Sequence, residues 1–166
     1  MAKAKTAPFY IRRTVSAASA TPDIVTIDTS AYVDPADRQG VMIESVDYVF
    51  FDAGNNLPLT AGADEKCAVQ LLTGAYTTLQ SYAEEDMISS GGLIVDGAAG
   101  NYNVTDLYPD VLGSQDGRIV VDDQLSLIGQ AASTFTNATC AVIIKARVVT
   151  LSNKDYMALA LQTVAN

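Results

Sequence analysis

The chain has 166 residues, 49% of them hydrophobic and 17% charged, with a formal net charge of −9 and neither histidine nor tryptophan. That length fits one domain, able to bury roughly two-thirds of its unfolded surface without disulfide or metal staples. The missing histidine excludes zinc sites built on imidazole and any Ser/His/Asp or Cys/His nucleophile. An acidic body is also a poor general ligand for nucleic acid, whose phosphates are bound by Lys and Arg.

Charge is unevenly placed. Lys3, Lys5, Arg12 and Arg13 are four of the ten basic residues, and no acid precedes them; the remainder holds six bases against 19 acids, a net of −13. Residues 1–23 read as an extended basic N-terminal arm, rich in Ala, Ser and Thr, with one apolar anchor at Phe9, Tyr10 and Ile11. Such a segment has too little apolar area to order itself, yet its anchor can add a strand to a sheet edge, its own or a neighbour's. Lys3, Lys5, Phe9, Tyr10, Ile11, Arg12 and Arg13 are therefore the candidate assembly residues, and a solvated tail is the competing reading. Removing residues 1–14 is expected to leave a folded domain. No continuous apolar run follows the first charges, so no signal peptide is expected, and no stretch of about 18 apolar residues is present to span a membrane.

Residues 24–166 read as one domain. Ile24 to Asp28 is a short strand, followed by a loop punctuated by Asp34-Pro35 and Gly40. Val41 to Asp52 is β-branched and aromatic, with Val46, Tyr48 and Phe50 on one face and Val49 and Phe51 on the other. Apolar residues on both faces point to a second layer or another subunit. Lys66 to Leu72 returns as a strand with Cys67, Val69 and Leu71 inward, a plausible hairpin with its predecessor. Gly74 to Met87 has helical spacing at Tyr76, Leu79, Ala83 and Met87, but its Thr, Ser and Gly content favours a long loop with a turn of helix. Met87 to Val95 carries Gly91 and Gly92 in its middle, as a bulged strand or two short pieces. Asn103 to Gly113, NVTDLYPDVLG, is a short strand-like piece ended by Pro109 and Gly113.

The last third carries the clearest pattern. From Gly117 to Gly129, Ile119, Val121, Leu125 and Leu127 line one face, but Asp123 falls on that face too. Either a bulge at Asp122 and Asp123 turns the acid outward, or it finds a partner such as Arg147. Cys140, Val142, Ile144, Ala146 and Val148 then alternate with outward Lys145 and Arg147, the period of a half-buried strand. Ser152 is an N-cap answered by Asp155, opening a helix over 152–163 with Met157, Ala160, Leu161 and Val164 as its apolar stripe. That helix should close an end or flank of the sheets. Seven or eight strands without alternating helices predict an all-β fold, an antiparallel sandwich of immunoglobulin or jelly-roll type.

Chemistry is sparse. Neither GxxxxGK[ST] nor GxGxxG occurs, and Gly91-Gly92 and Gly97-Ala-Ala-Gly100 read as turns. The acid pairs Asp122-Asp123, Glu84-Glu85-Asp86, Asp64-Glu65 and Asp34 with Asp37 read as solvated turns; calcium between subunits is the minority reading, without EF-hand spacing. Cys67 and Cys140 fall on apolar strand faces and are expected as free thiols rather than a disulfide. Tyr10, Tyr32, Tyr76, Tyr102 and Tyr108 suit either protein contacts or ordinary turns. No catalytic residue, cofactor, metal or small-molecule substrate is expected, and the chain does not read as an enzyme.

The basic arm from Ala2 to Thr14, the all-β body from Ile24 to Leu151 with segments such as DPADRQGVMIESVDYVFFD and GRIVVDDQLSLIGQ, the acidic pI and the closing helix together resemble a viral capsid protein of the single jelly-roll family. The resemblance implies two facing four-stranded sheets and a virion subunit that self-assembles into an icosahedral shell. Its partners would be copies of itself and other capsid proteins, with the arm touching neighbours, genome or an inner membrane. Synthesis would be in the host cytoplasm. Only four basic residues in the arm argue against direct genome packaging. The alternative is a virion decoration, spike or carbohydrate-binding β-sandwich module.

Overall fold

The computed structural model describes residues 2–59, 63–97, 101–108 and 117–164. Their elements, in chain order, are β1 (Lys3–Ala4), β2 (Phe9–Ser16), β3 (Asp23–Asp28), β4 (Gln39–Asp52), β5 (Glu65–Thr73), β6 (Met87–Asp96), β7 (Asn101–Tyr108), β8 (Arg118–Val120), β9 (Gln124–Ala131), β10 (Ala138–Thr150) and α1 (Asn153–Val164). The expected breaks at Pro109 and Gly113, and Ala98 to Gly100 of the Gly97–Gly100 turn, lie outside the described residues.

The alternation of β10 gives it two unlike faces, and both its edges are paired. Cys140, Val142, Ile144 and Ala146 are buried, while Ala141, Ile143, Lys145 and Arg147 between them are half-buried. On one side β10 runs antiparallel to β4 from Ala138↔Asp52 to Thr150↔Gln39. On the other it takes β2, from Thr139↔Ser16 to Ala146↔Phe9, and then β1 at Val149 and Thr150. With β8 beyond β4 this is the first sheet; the second runs β3-β9-β5-β6-β7.

The antiparallel pairs β2 with β10, β3 with β9, β4 with β8, and β5 with β6 are nested, first with last and inward to the middle. A folded ribbon wound in this way is a jelly roll, with β7 an extra strand on one edge. The fold class expected from the sequence is therefore present, with five strands rather than four in each sheet.

The core is the layer between the sheets. Val142, Ile144 and Cys140 of β10 and Ile43 and Val41 of β4 face Val69 and Leu71 of β5 and Leu125 and Leu127 of β9, all buried in one cluster. Each buried Val, Leu or Ile side chain contributes about 1.5–3 kcal/mol. Gly91 meets a different need. A Cβ there would lie 2.6 Å from the ring of Tyr48, which crosses from β4 onto β6. The glycine accommodates that ring, and β6 is one strand from Met87 to Asp96 with the expected bulge, its register shifting against β5 near Met87 and against β7 at Ser90/Gly91.

The expected hairpin of residues 66–72 with the preceding strand does not form, because β5 pairs with β6 and β9 in the second sheet while β4 lies in the first. Four further expectations take another form. First, the domain boundary expected at residue 24 is not where the fold begins, because Phe9 to Ser16 is the first strand of the roll. Val15 and Ala17 are fully buried, and truncation after residue 14 would remove six of the eight residues of β2. Pro8, which has no N–H to give, sits in the break between β1 and β2.

Second, Gly117 to Gly129 is not one strand. Val121 to Asp123 carry the chain across from the first sheet to the second, so Ile119 and Val121 pack under α1 while Leu125 and Leu127 enter the core. Asp123 is exposed, and Arg147 pairs with Glu44 instead. Third, the inward face of α1 is Tyr156 and Leu159, packed on Met42, Val149 and Leu151; Met157 and Leu161 of the expected stripe are 63% and 66% exposed. The cap forms as read, with Asp155 N donating to Ser152 Oγ at 3.2 Å.

Fourth, residues 74–86 hold no helix, in place of the turn of helix expected there. They lie over the second sheet as a loop clamped by the buried Gln70 amide, which donates to Gln80 O at 2.9 Å and accepts from Gln80 N at 2.7 Å.

Gly91→Ala should lower stability by about 1–3 kcal/mol through overpacking against Tyr48. Urea denaturation checks this, and an unchanged midpoint would mean the ring moves aside without cost.

Candidate assembly surface

The seven candidate N-terminal residues form one sheet edge. Lys3 pairs with Thr150. Lys5 Nζ lies 3.8 Å from Asp37 Oδ2, both groups well exposed. Phe9 stacks on Tyr32 with ring centroids 4.9 Å apart, and Ile11 packs against the core. Tyr10, on the other face, is 58% exposed, with the Arg12 guanidinium 5.8 Å from its ring centroid. Arg13 Nη1 donates to Arg12 O at 2.9 Å. Phe9 and Ile11 are thus used within the chain, and Lys3, Tyr10, Arg12 and Arg13 remain exposed. Two adjacent arginines also discourage β2 from pairing with a second β2.

The outer face of the first sheet has three zones along β10. Phe51 and Val49 of β4 stand beside Thr139 and Ala141, and Asp47 and Arg12 flank Ile143 on either side. This band is apolar and bare, with Val49 50% exposed. Next, β4 carries one extra residue opposite the Lys145/Ala146 step. That bulge turns Glu44 outward, where it meets Lys145 Nζ at 3.0 Å and the Arg147 guanidinium. Beyond it, α1 covers Val149 and Leu151.

The two ends of the roll differ chemically. At one, Ala17 N donates to Ala138 O, Ala53 N to Asn137 O and Phe135 N to Ala18 O, gathering residues 17–22, 53–59 and 132–137. These three stretches contain no charged residue, although Asp64 closes the β4–β5 connection and Glu65 accepts from Ser133 Oγ at 3.0 Å at the same end. At the other end Thr29 N donates to Asp123 O and Gly74 N to Gln124 O, gathering residues 29–38, 74–86 and 121–123, with seven acids and one arginine among them. There Tyr76 OH donates to Asp86 Oδ2 at 2.7 Å. Burial, then the neighbouring Asp86 and Asp123 charges, push the Asp122 carboxyl above its ordinary value. The chain has no histidine, so no imidazole accompanies these acids. Among the described residues no group of three or more His, Cys, Asp or Glu is arranged to hold a metal ion.

Cys67 and Cys140 are free and buried, and burial pushes both thiols up to about 12. They are unreactive at neutral pH. What the described residues present to the outside is a set of patches on faces, edges and loop ends.

No protein-family model matches the chain, and no curated protein matches it. Among solved structures 17 chains match. One, from Desmodium yellow mottle tymovirus, has a TM-score of 0.39 and 10% identity over 87% of this chain and 85% of that one. The fold class is defined by the nested strand pairs themselves: a single jelly-roll sandwich.

Two titrations should run in opposite directions. Burial raises the Glu44 carboxyl, but hydrogen bonds and charge from Lys145 and Arg147 outweigh it, so the net shift is downward from 4.5. Its contribution is present above that unfolded value and lost as pH falls through the folded one. Glu44→Gln should therefore flatten the loss of stability below about pH 4.5; parallel wild-type and variant curves would mean the ion cluster contributes nothing. Asp122 is shifted upward, so ionising it at neutral pH weakens the fold. Asp122→Asn should raise the urea midpoint at pH 7 and leave it little changed at pH 3; a lower midpoint at pH 7 would show that the ionised carboxylate is needed.

Proposed function

We propose that this chain is a structural virion protein, a capsid subunit that self-assembles into an icosahedral shell through sandwich rims, loops and its N-terminal edge. The observation that carries the reading is the nested jelly-roll pairing joined to bare contact surfaces on its outside. A fold alone does not specify a function. Here, however, the outward Tyr10 and Val49, the sparsely charged loop end and the exposed helix residues leave several sides of one small molecule poorly adapted to isolation. Shells need repeated modest contacts made by copies of one subunit.

In this reading Lys3, Lys5, Arg12 and Arg13 are the residues that meet a neighbour, the genome or an inner membrane. Phe9 and Ile11 hold the edge to its own sandwich. The acidic remainder makes wrapping of nucleic acid by the body unfavourable, so the genome contact is confined to that edge. The protein acts in the virion and carries out no reaction.

Electron microscopy and light scattering of the purified protein test this. Closed particles or regular capsomers are expected. Discrete trimers that bind glycans and build nothing larger would favour a decoration or carbohydrate-binding role and overturn the shell reading. Removing residues 2–8 takes away β1 but leaves β2 in place, so the domain should stay folded at a lowered melting temperature while particle yield falls several-fold. Unchanged yield would take the extreme N-terminus out of assembly.

A further inference from the structure

The outer face of the first sheet is half covered and half bare. Along β10, Ala141 and Ile143 belong to the bare band, Lys145 and Arg147 to the ion cluster, and Val149 to the ground on which α1 stands. The helix keeps a bare apolar edge of its own in Met157 and Leu161, four residues apart and so on one side of it. We propose that the bare band of one copy is covered by α1 of a second copy, and reciprocally, about a two-fold axis crossing the strands at the ion cluster. This rests on the self-assembly proposed above and names one of its contacts.

Thickness selects this occupant. A helix is roughly 10 Å across, and α1 stands on the same face as the band, so two copies cannot lay their bands flat together. The gap left over each band is one helix deep. Six residues separate Ile143 from Val149, about 20 Å along the strand, which accommodates two helices side by side at their usual separation of about 8–10 Å. Band and helix share one face, so a single two-fold makes both contacts at once.

Charge agrees with the geometry. The axis passes through a cluster bearing both signs, Glu44 against Lys145 and Arg147, so each copy brings acid to the other's base. Across the band, Arg12 and Asp47 flank Ile143 in register, two strand spacings or roughly 9.6 Å apart. Lys154, three residues before Met157, supplies the incoming helix with a cation for Asp47.

Cysteine cross-linking tests the arrangement on the full chain, since Cys67 and Cys140 are buried and their thiols lie at about 12. Val49→Cys and Leu161→Cys proteins are oxidised separately and mixed. The mixture should cross-link several-fold more than either alone, because the two-fold brings position 49 to position 161 and neither to itself. Ile94→Cys, on the outer face of the other sheet, should give no gain when mixed with either. Equal yields in all samples, or none, would overturn the proposal. Adding Met157→Asp to the Leu161→Cys protein should abolish its mixed cross-link with Val49→Cys at an unchanged melting temperature, and a cross-link that persists would equally overturn the proposal. Light scattering separates the two readings: particles without this cross-link leave the shell reading standing and remove the dimer, whereas the cross-link in a protein that stops at dimers does the reverse.

Discussion

Everything in this molecule depends on the pairing of β10 along both edges. A central strand held from Ala138 to Thr150 by β4 on one side, and by β2 and then β1 on the other, cannot slip by one residue without turning Cys140, Val142 and Ile144 out to solvent. The single irregularity, one extra residue in β4, falls where Glu44 is needed outside. Inside and outside are thus decided on one strand and transmitted through it to both neighbours.

From that division follows the unequal finish of the two outer faces. The second sheet is closed by residues of its own chain, because the buried Gln70 amide satisfies both backbone groups of Gln80 and holds the 74–86 loop down. Such a clamp is worth having only if complete, since a buried amide left unpaired costs more than the bond contributes. The first sheet is closed only over Met42, Val149 and Leu151, where Tyr156 and Leu159 rest. The remainder is an apolar surface bordered by charges of both signs.

The ends of the roll separate charge along the molecule. Backbone hydrogen bonds from Thr29 and Gly74 hold mutually repelling carboxylates close together at one end. At the other, residues 17–22, 53–59 and 132–137 carry no charge. Electrostatic repulsion works against two copies meeting through their acidic ends.

Much of the sandwich is legible in the amino-acid sequence. Period-two runs mark β4, β5 and β10, and Ser152 with Asp155 marks the start of α1, because these signals are local and depend on neighbours a few residues away. Local pattern also fails in identifiable places. Arg13 interrupts the alternation of Phe9, Ile11 and Val15, so a strand of the fold reads as an arm; on an edge, an inward-register arginine can still reach water. Asp122 and Asp123 are visible as a fault in one long strand, but only the two sheets show that the chain changes layer there. The stripe of α1 is misplaced by pattern alone because Met157 and Leu161 are as apolar as Tyr156 and Leu159. The sequence alone determined which segments are extended, where the helix begins and that no imidazole chemistry is possible. Tertiary structure decided which strands pair, which helix face is buried and which apolar residues stay bare, because those depend on partners far apart along the chain.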